Sequence, residues 1–181
     1  MTSTEDGWRY YQISAPPDCH GVMETGESTS GLYVIDPFGD RQQPVTVYCD
    51  MDTDNGGWTA IQRRLRGTMK FDKTWTEFKN GFGDPPNAYW IGDSMINTGF
   101  SRVDLNGTSF STVDRDNDQD SGNCAASFNG GWWHNACNDA FLNGPWSPEN
   151  GPWPPESWCP WFSTITTDSN IAEVRLMIKP T

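Results

Sequence analysis

The chain has 181 residues and a formal net charge of −12, and its length suits one domain with a sizeable core. Such an acidic chain lacks the basic face that nucleic-acid binding requires, and it is poorly matched to anionic lipid. Aromatic residues make up 13% of the chain and include 10 tryptophans, which excludes an acidic disordered protein.

The first third of the chain predicts strands joined by turns. The short apolar run SGLYVID (30–36) is closed by the turn-like DPFGD, which indicates a strand. VTVYCDM alternates, with Val45, Val47 and Cys49 on one face. WTAIQRR (58–64) is the return strand of a hairpin across the turn DTDNGG.

The clearest helix signal begins at Thr74. Thr74 and Glu77 have the spacing of a capping box, in which each side chain satisfies a backbone amide that the first turn leaves unpaired. Gly81 is placed to end this helix in a left-handed C-cap. YWIG (89–92) and FSRVDL (100–105) then predict two further short strands.

Regular patterning is almost absent from residues 114–170. This stretch is rich in Gly, Pro, Asn and Trp, which predicts loops pinned by disulfide, metal and aromatic packing. The chain closes with AEVRLMIKP, where Val174, Leu176 and Ile178 alternate with their neighbours as in a half-buried strand. Neither a repeat nor a flexible linker interrupts the chain, so we predict a single domain over residues 1–181.

The cysteine content bears on the compartment. The five cysteines form no C-x-x-C pair and only two histidines accompany them, so a structural zinc site is disfavoured. Two disulfides plus one odd cysteine predict a secreted, extracellular protein; five reduced cysteines in a cytosolic protein are the alternative. The glycosylation sequon at Asn106 adds a little to the first interpretation. We find neither a signal peptide in MTSTEDGWRYY nor an apolar run that approaches a membrane span.

Two runs of alternating aspartates are candidate cation sites. DRDNDQDSGNC places an aspartate at every second position: Asp114, Asp116, Asp118 and Asp120. Negative charges at such short distances repel each other. Neither register supplies the glycine and glutamate that an EF-hand requires. The second run, DMDTDNGG, fits a hairpin turn whose Asp and Asn side chains bond their own backbone. Composition alone leaves the first run open between a metal site and a solvated loop.

Several segments together resemble the fibrinogen-related (fibrinogen C-terminal-like) domain family. They are DC, VTVYCDMDTDNGGWTAIQRR, TWTEFKNGFG, YWIG, FSTVDRDNDQDSGNCA, GGWWHNACNDAFLNG and the terminal MIKP. The resemblance implies an α+β fold with a twisted antiparallel sheet, short helices and a loop-rich calcium-binding subdomain. It also implies that Cys19 pairs with Cys49 and Cys124 with Cys137.

The resemblance further divides the chain into three parts. Residues 10–60 would form an N-terminal disulfide subdomain, residues 61–109 a central subdomain, and residues 110–181 a calcium and ligand subdomain with the final strand. Between YWIG and FSTVDRDND the family normally carries several tens of additional residues, so the central segment is shortened. Missing strands would leave new sheet edges that could pair with another chain. Cys159 is either a free buried thiol or a disulfide bridge between two chains. For both reasons a homo-oligomer is an open alternative.

Calcium is the cofactor that the resemblance implies. Its ligands would be the side chains of Asp116 and Asp118 and the backbone carbonyls of Asp120 and Gly122, with waters completing the shell. Calcium takes roughly 6–8 hard oxygen ligands at flexible angles, which this set suits.

The resemblance also implies a ligand pocket beside a cis peptide between Ala136 and Cys137. Amides around Cys137 would face a ligand carbonyl such as that of an N-acetyl sugar, and aromatic side chains would surround the methyl group. Two positions depart from the lectin pattern, and Glu149 could instead favour a cationic ligand. The candidate ligand-binding residues are Phe128, Ala136, Cys137, Asn138, Glu149, Trp161 and Phe162.

We therefore predict calcium-dependent recognition of acetylated or other sugar groups on microbial surfaces by a secreted lectin of innate immunity. The alternative is a secreted protein–protein interaction ligand for a receptor or a clot-type partner, without glycan binding. Fibrin-like assembly is disfavoured because Ser127 and Phe128 stand where fibrinogen uses polar and acidic residues. An enzyme is not expected, since the sequence contains no G-x-S-x-G, H-E-x-x-H or phosphate-binding loop.

Overall fold

An antiparallel sheet organises the chain in the computed structural model, which describes residues 15–39, 43–65, 69–92, 108–137, 141–145 and 173–180. Its strands are β1 (Gly31–Ile35), β2 (Val45–Asp50), β3 (Trp58–Leu65), β4 (Phe82–Gly83), β5 (Tyr89–Trp90) and β6 (Glu173–Ile178). The helices are α1 (Cys19–Glu24), α2 (Trp75–Asn80) and α3 (Cys124–Phe128), with a 3₁₀ turn at Thr53–Asn55. The predicted α+β class is confirmed, and the strand predicted over 100–105 lies outside the described residues.

The sheet is built around β3. Its strands follow the order β1-β2-β3-β5-β4, and β6 pairs with β3 as well. Because β6 runs along β3 from Thr59 to Leu65, β2 and β5 share the opposite edge of β3. The last strand of the chain therefore lies beside the hairpin that the first third predicts.

The turn of that hairpin explains the second acidic run. The Asp50 carboxylate accepts the amides of Asp52 and Thr53 at 2.9 and 2.8 Å, and it also accepts the Arg175 guanidinium at 2.7 Å. Asp52 accepts the hydroxyl of Ser30 at 2.6 Å. These carboxylates have partners within the protein, so the interpretation of DMDTDNGG as a turn is confirmed.

The helix α2 begins as predicted and ends differently. Thr74 caps it, with the Thr74 hydroxyl accepting the Glu77 amide and the Glu77 carboxylate accepting the Thr74 amide. Gly81 ends the helix at φ 86° and ψ 157°, which is not the left-handed helical conformation that we predicted. A Cβ atom at Gly81 would lie 2.6 Å from the carbonyl oxygen of Ile91, so glycine permits the close approach of the segment after β5.

The burial of β6 also departs from the prediction. Ile178 is 40% exposed, whereas Leu176 and Met177 both pack against the core. The register of β3 against β6 shifts between Ala60 and Gln62, and this irregularity breaks the simple alternation of faces.

Two hydrophobic clusters hold the described residues together. The first lies between α1 and the sheet and includes the disulfide of Cys19 with Cys49. The second packs α2 and β5 against the aromatic residues of the loop region: Phe71, Phe78, Ala88, Trp90, Phe110, Trp132, Trp133 and Phe141. Trp132 and Trp133 are buried, which agrees with the aromatic packing predicted for the loop region. None of the helices in the described ranges is long and apolar enough to cross a membrane.

Candidate functional site

The acidic run forms a loop between two anchored segments. Before it, Ser111 pairs with Trp132, and Thr112 pairs with Arg115 at the start of the run. After it, α3 begins at Cys124, which forms the predicted disulfide with Cys137. The loop is therefore fixed at both ends, while most of its own side chains face solvent.

Within the loop, the last three of the four aspartates each accept the backbone amide two residues ahead. The Oδ1 atoms of Asp116, Asp118 and Asp120 accept the amides of residues 118, 120 and 122 at 3.1, 3.0 and 3.0 Å. Asp118 Oδ2 accepts the Cys124 amide at 2.9 Å, which ties the loop to α3. These bonds order the loop backbone.

The donor set of this loop fits calcium and no thiophilic metal. The described residues contain one group of three candidate ligand atoms within 4.8 Å of each other: Asp120 with the sulfurs of Cys124 and Cys137. Those sulfurs form a disulfide and are not available as thiolate ligands. Asp116 and Asp118 do not belong to this group. The atoms that the resemblance assigns to calcium, the carboxylates of Asp116 and Asp118 and the carbonyls of Asp120 and Gly122, are nevertheless oxygens, the ligand type that calcium prefers.

Asp114 has a separate, structural role that the sequence analysis did not identify. Its Oδ1 accepts the Trp75 amide at the start of α2 and the Thr112 hydroxyl, both at 2.8 Å. Desolvation acts to raise the pKa of Asp114, but the bonds from Trp75 and Thr112, its own amide and the nearby Arg115 outweigh it and lower the pKa. Asp114 therefore links the acidic loop to α2.

Replacing Asp114 with asparagine should destabilise the protein in a pH-dependent way. The lowered pKa means that the carboxylate stabilises the fold above its unfolded-state pKa and loses this effect as pH falls through the folded-state pKa. We expect a loss of about 1 kcal/mol near neutral pH and a gap that closes below about pH 4. Urea unfolding of both proteins at pH 6 and pH 3 measures this, and a gap that stays constant would contradict it.

The described residues include Phe128, Ala136 and Cys137 of the predicted ligand pocket. The Ala136–Cys137 peptide is cis, and the Cys137 carbonyl accepts the Asn135 amide at 2.8 Å. The Asn135 carbonyl in turn accepts the amide of Gln119 in the acidic loop at 2.8 Å. Phe128 is half-buried at the end of α3 and packs against the aromatic cluster. The other predicted pocket residues, Asn138, Glu149, Trp161 and Phe162, lie outside the described residues.

A buried polar connection, for which the sequence contains no local signal, joins residues 142–144 to the sheet. Gln62 on β3 donates to Asn143 Oδ1 at 2.5 Å, and Asn143 donates to the Gly131 carbonyl at 2.8 Å. Arg64, also buried on β3, donates to the carbonyls of Leu142 and Gly144. Two side chains of β3 thus hold a segment that lies 78 to 81 residues later in the chain.

Similar solved structures share this fold. The fibrinogen-like globe domain of human ANGPTL2 matches with a TM-score of 0.76 and 28% identity, covering 91% of this chain and 99% of that domain. The corresponding domain of human ANGPTL6 matches with a TM-score of 0.63 and 30% identity, covering 75% and 83%. The lamprey fibrin D-dimer, at 24% identity and a TM-score of 0.64, shares the fold alone.

Related sequences overturn the predicted function. Angiopoietin-2 of Mus musculus is 28% identical over 90% of this chain, and angiopoietin-1 of Rattus norvegicus is 32% identical over 90%. The chain spans 42% of the length of each of these relatives. They are angiopoietins and not sugar-binding lectins, so the prediction of a lectin for microbial or acetylated glycans is wrong. The similarity favours the alternative, a protein–protein interaction ligand.

The family assignment rests on nearly the whole chain. The sequence profile described as "Fibrinogen beta and gamma chains, C-terminal globular domain" matches residues 15–104 and 98–181. The break between the two matches falls where the sequence analysis places the shortened segment. The alignment with angiopoietin-2 covers 212 positions, more than the 181 residues of this chain, so it also contains gaps in this chain. The chain belongs to the family of fibrinogen C-terminal globular domains.

Proposed function

We propose that this domain is a secreted, non-enzymatic ligand that acts by binding another protein. The observation that carries the proposal is the backbone match to the fibrinogen-like globe of human ANGPTL2 over 91% of this chain and 99% of that domain. The identity of 28–32% with angiopoietins over 90% of the chain supports the same class. The partner is a protein surface presented outside the cell.

The disulfides and the histidines support this proposal. Two disulfides tie the described residues together, which suits an oxidising extracellular compartment. His134 is fully buried and packs 5.0 Å from the ring of Phe141, away from any substrate that approaches from solvent. His20 lies 3.9 Å from Glu24 on the same helix. Neither contact supplies a nucleophile with a base beside it.

A cell-binding experiment tests the proposed class of partner. The labelled full chain is added to cultured vertebrate cells pretreated with trypsin, with a mixture of glycosidases, or with buffer. If the partner is a protein, binding is saturable and trypsin abolishes it. Glycosidase treatment leaves binding unchanged, and so does free N-acetylglucosamine added as a competitor. Binding that survives trypsin, or no saturable binding to a panel of cell types, would overturn the proposal.

We also propose that the acidic loop binds one calcium ion. The oxygen-only donor set and the anchoring of the loop by the Cys124–Cys137 disulfide support this. Calcium would supply positive charge that offsets the repulsion among the aspartates, and Asp116 and Asp118 would hold it by their side chains. The ion would hold the loop next to the segment that contains Ala136 and Cys137.

Replacing Asp116 with alanine should remove most of the stabilisation that calcium confers. A ligand that binds only the folded state stabilises it by about 2.7 kcal/mol at 100 times its Kd. We therefore expect calcium to raise the melting temperature of the wild type by several degrees and that of Asp116→Ala much less. Calorimetry in 5 mM calcium and in chelator measures this.

The matched control is Asp52→Ala, in the β2–β3 turn, where the Asp50 carboxylate accepts backbone amides of the turn itself. This exposed aspartate also belongs to an alternating run, but its carboxylate accepts the Ser30 hydroxyl. The control should keep the full calcium effect. Loss of the effect in Asp52→Ala with none in Asp116→Ala would place the ion in the other acidic run.

A further inference from the structure

The edge strand β1 carries an exposed apolar face. Among the described residues β1 pairs with β2 alone, so it is one edge of the sheet. Leu32 and Val34, on one face of β1, are 42% and 52% exposed. The strand Gly31–Ile35 contains no charged residue. Proteins usually protect such an edge with a charge, a proline or a bulge, because it can pair with another chain.

Directly after this edge strand, the backbone bonds another segment of the chain. The amide of Asp36, directly after β1, donates to the carbonyl of Pro16 at 2.8 Å and not to β2. Backbone groups alternate in direction along an antiparallel strand. The amides and carbonyls of Leu32 and Val34 therefore point to the same outer side as the amide of Asp36, where a further strand would meet them.

The charges around this edge are negative. Residues 15–39 include four carboxylates and neither lysine nor arginine. At the start of β1, the exposed Glu27 lies 3.5 Å from the hydroxyl of Tyr33, and the exposed Asp52 accepts the hydroxyl of Ser30. A second copy of this chain would bring the same carboxylates and a net charge of −12, so a basic partner matches this surface better than a second copy.

We propose that the β1 edge, with Leu32 and Val34, binds an extended basic segment of the partner protein by adding a strand to the sheet. This rests on the proposed function as a protein ligand and names the surface that it uses. The partner's backbone would bond the outer groups of β1, its apolar side chains at alternate positions would pack beside Leu32 and Val34, and its lysines or arginines would face Glu27 and Asp52.

A defined peptide tests this surface. The probe is the fluorescent peptide Lys-Val-Thr-Val-Thr-Val-Lys, and the measurement is fluorescence anisotropy with the full chain. We expect saturable binding that weakens at least tenfold when glutamates replace the two lysines. Binding should also be lost when N-methyl groups block the amides of the third and fourth residues, because one of any two consecutive amides in a strand faces β1.

Two matched variants locate the binding. Val34 on β1 lies opposite Thr46 on β2, and both side chains are exposed. Val34→Lys should weaken binding of the probe at least tenfold, while Thr46→Lys adds the same charge on the inner strand and should leave binding within twofold. Melting temperatures of both variants within a few degrees of wild type confirm that they fold.

Several results would overturn the inference. They are the absence of saturable binding, equal affinity of the two variants, or a dimer in sedimentation that Val34→Lys dissociates, which would mean that a second copy covers the edge. Trypsin-sensitive cell binding by Val34→Lys at the level of wild type would also overturn this surface while leaving the proposed function intact. If cell binding by the wild-type protein resists trypsin, the proposed function as a protein ligand is itself contradicted.

Discussion

Replacing Phe78 with alanine is expected to reduce the free energy of unfolding by about 3–5 kcal/mol. Phe78 is 4% exposed, and its ring lies 5.1, 5.7 and 5.0 Å from those of Phe82, Trp90 and Phe110. The loss combines the transfer energy of the ring with the cavity that it leaves. The cavity cannot close easily, because the surrounding rings come from three separate segments of the chain.

Phe38→Ala is the control for this effect. Phe38 is 38% exposed, so its removal creates no enclosed cavity and should cost less than about 1 kcal/mol. Urea unfolding of the two variants, followed by tryptophan fluorescence, gives both values. A loss below about 1.5 kcal/mol for Phe78→Ala would mean that the cluster repacks and is not a rigid core.

Local features of the fold could be predicted because local chemistry decides them. The capping box of α2 depends on Thr74 and Glu77, three residues apart, and both bonds form as predicted. The β2–β3 hairpin depends on the residues of its own turn and on alternation in VTVYCDM. In each case the partners lie within a few residues of each other, so their spacing alone fixes the geometry.

Features that depend on distant partners were missed or wrong. The short helix α1 is capped by Asp18, but a six-residue helix is marginal by itself and is held by packing on the sheet. Burial along β6 follows the irregular register of β3, which lies more than 100 residues earlier. The Gly81 conformation depends on Ile91. Sequence spacing within one element contains none of this information.

The candidate site divides in the same way. The lack of regular patterning after residue 114 predicted loops, and the resemblance supplied the Cys124–Cys137 disulfide and the cis peptide that the structure contains. The role of Asp114 depends on α2, 39 residues earlier in the chain. The sequence analysis did not predict that β1 is an edge strand, because this depends on the strand order of the whole sheet.

Removing the Cys124–Cys137 disulfide is expected to reduce stability by about 3 kcal/mol and to weaken the proposed calcium binding at least tenfold. The two cysteines are 13 residues apart, and the crosslink restricts the unfolded chain. In the folded state the Cys124 amide donates to Asp118. The Cys137 carbonyl accepts the amide of Asn135, and the Asn135 carbonyl accepts the amide of Gln119. Loss of the crosslink therefore loosens both attachments of the acidic loop. Part of the free energy of calcium binding is then used to order the loop, so the affinity for calcium falls.

The Cys19–Cys49 disulfide provides the comparison that separates these two effects. It spans 30 residues, so its removal should cost more stability, about 3.7 kcal/mol. It lies in the cluster beneath α1, which does not include the acidic loop, so calcium affinity should stay within twofold of wild type. Paired serine replacements, measured by urea unfolding and by calcium titration calorimetry at a temperature where both variants are folded, test this. Equal losses of calcium affinity in both variants would mean that the ion responds to overall stability and that the Cys124–Cys137 crosslink does not specifically shape its site.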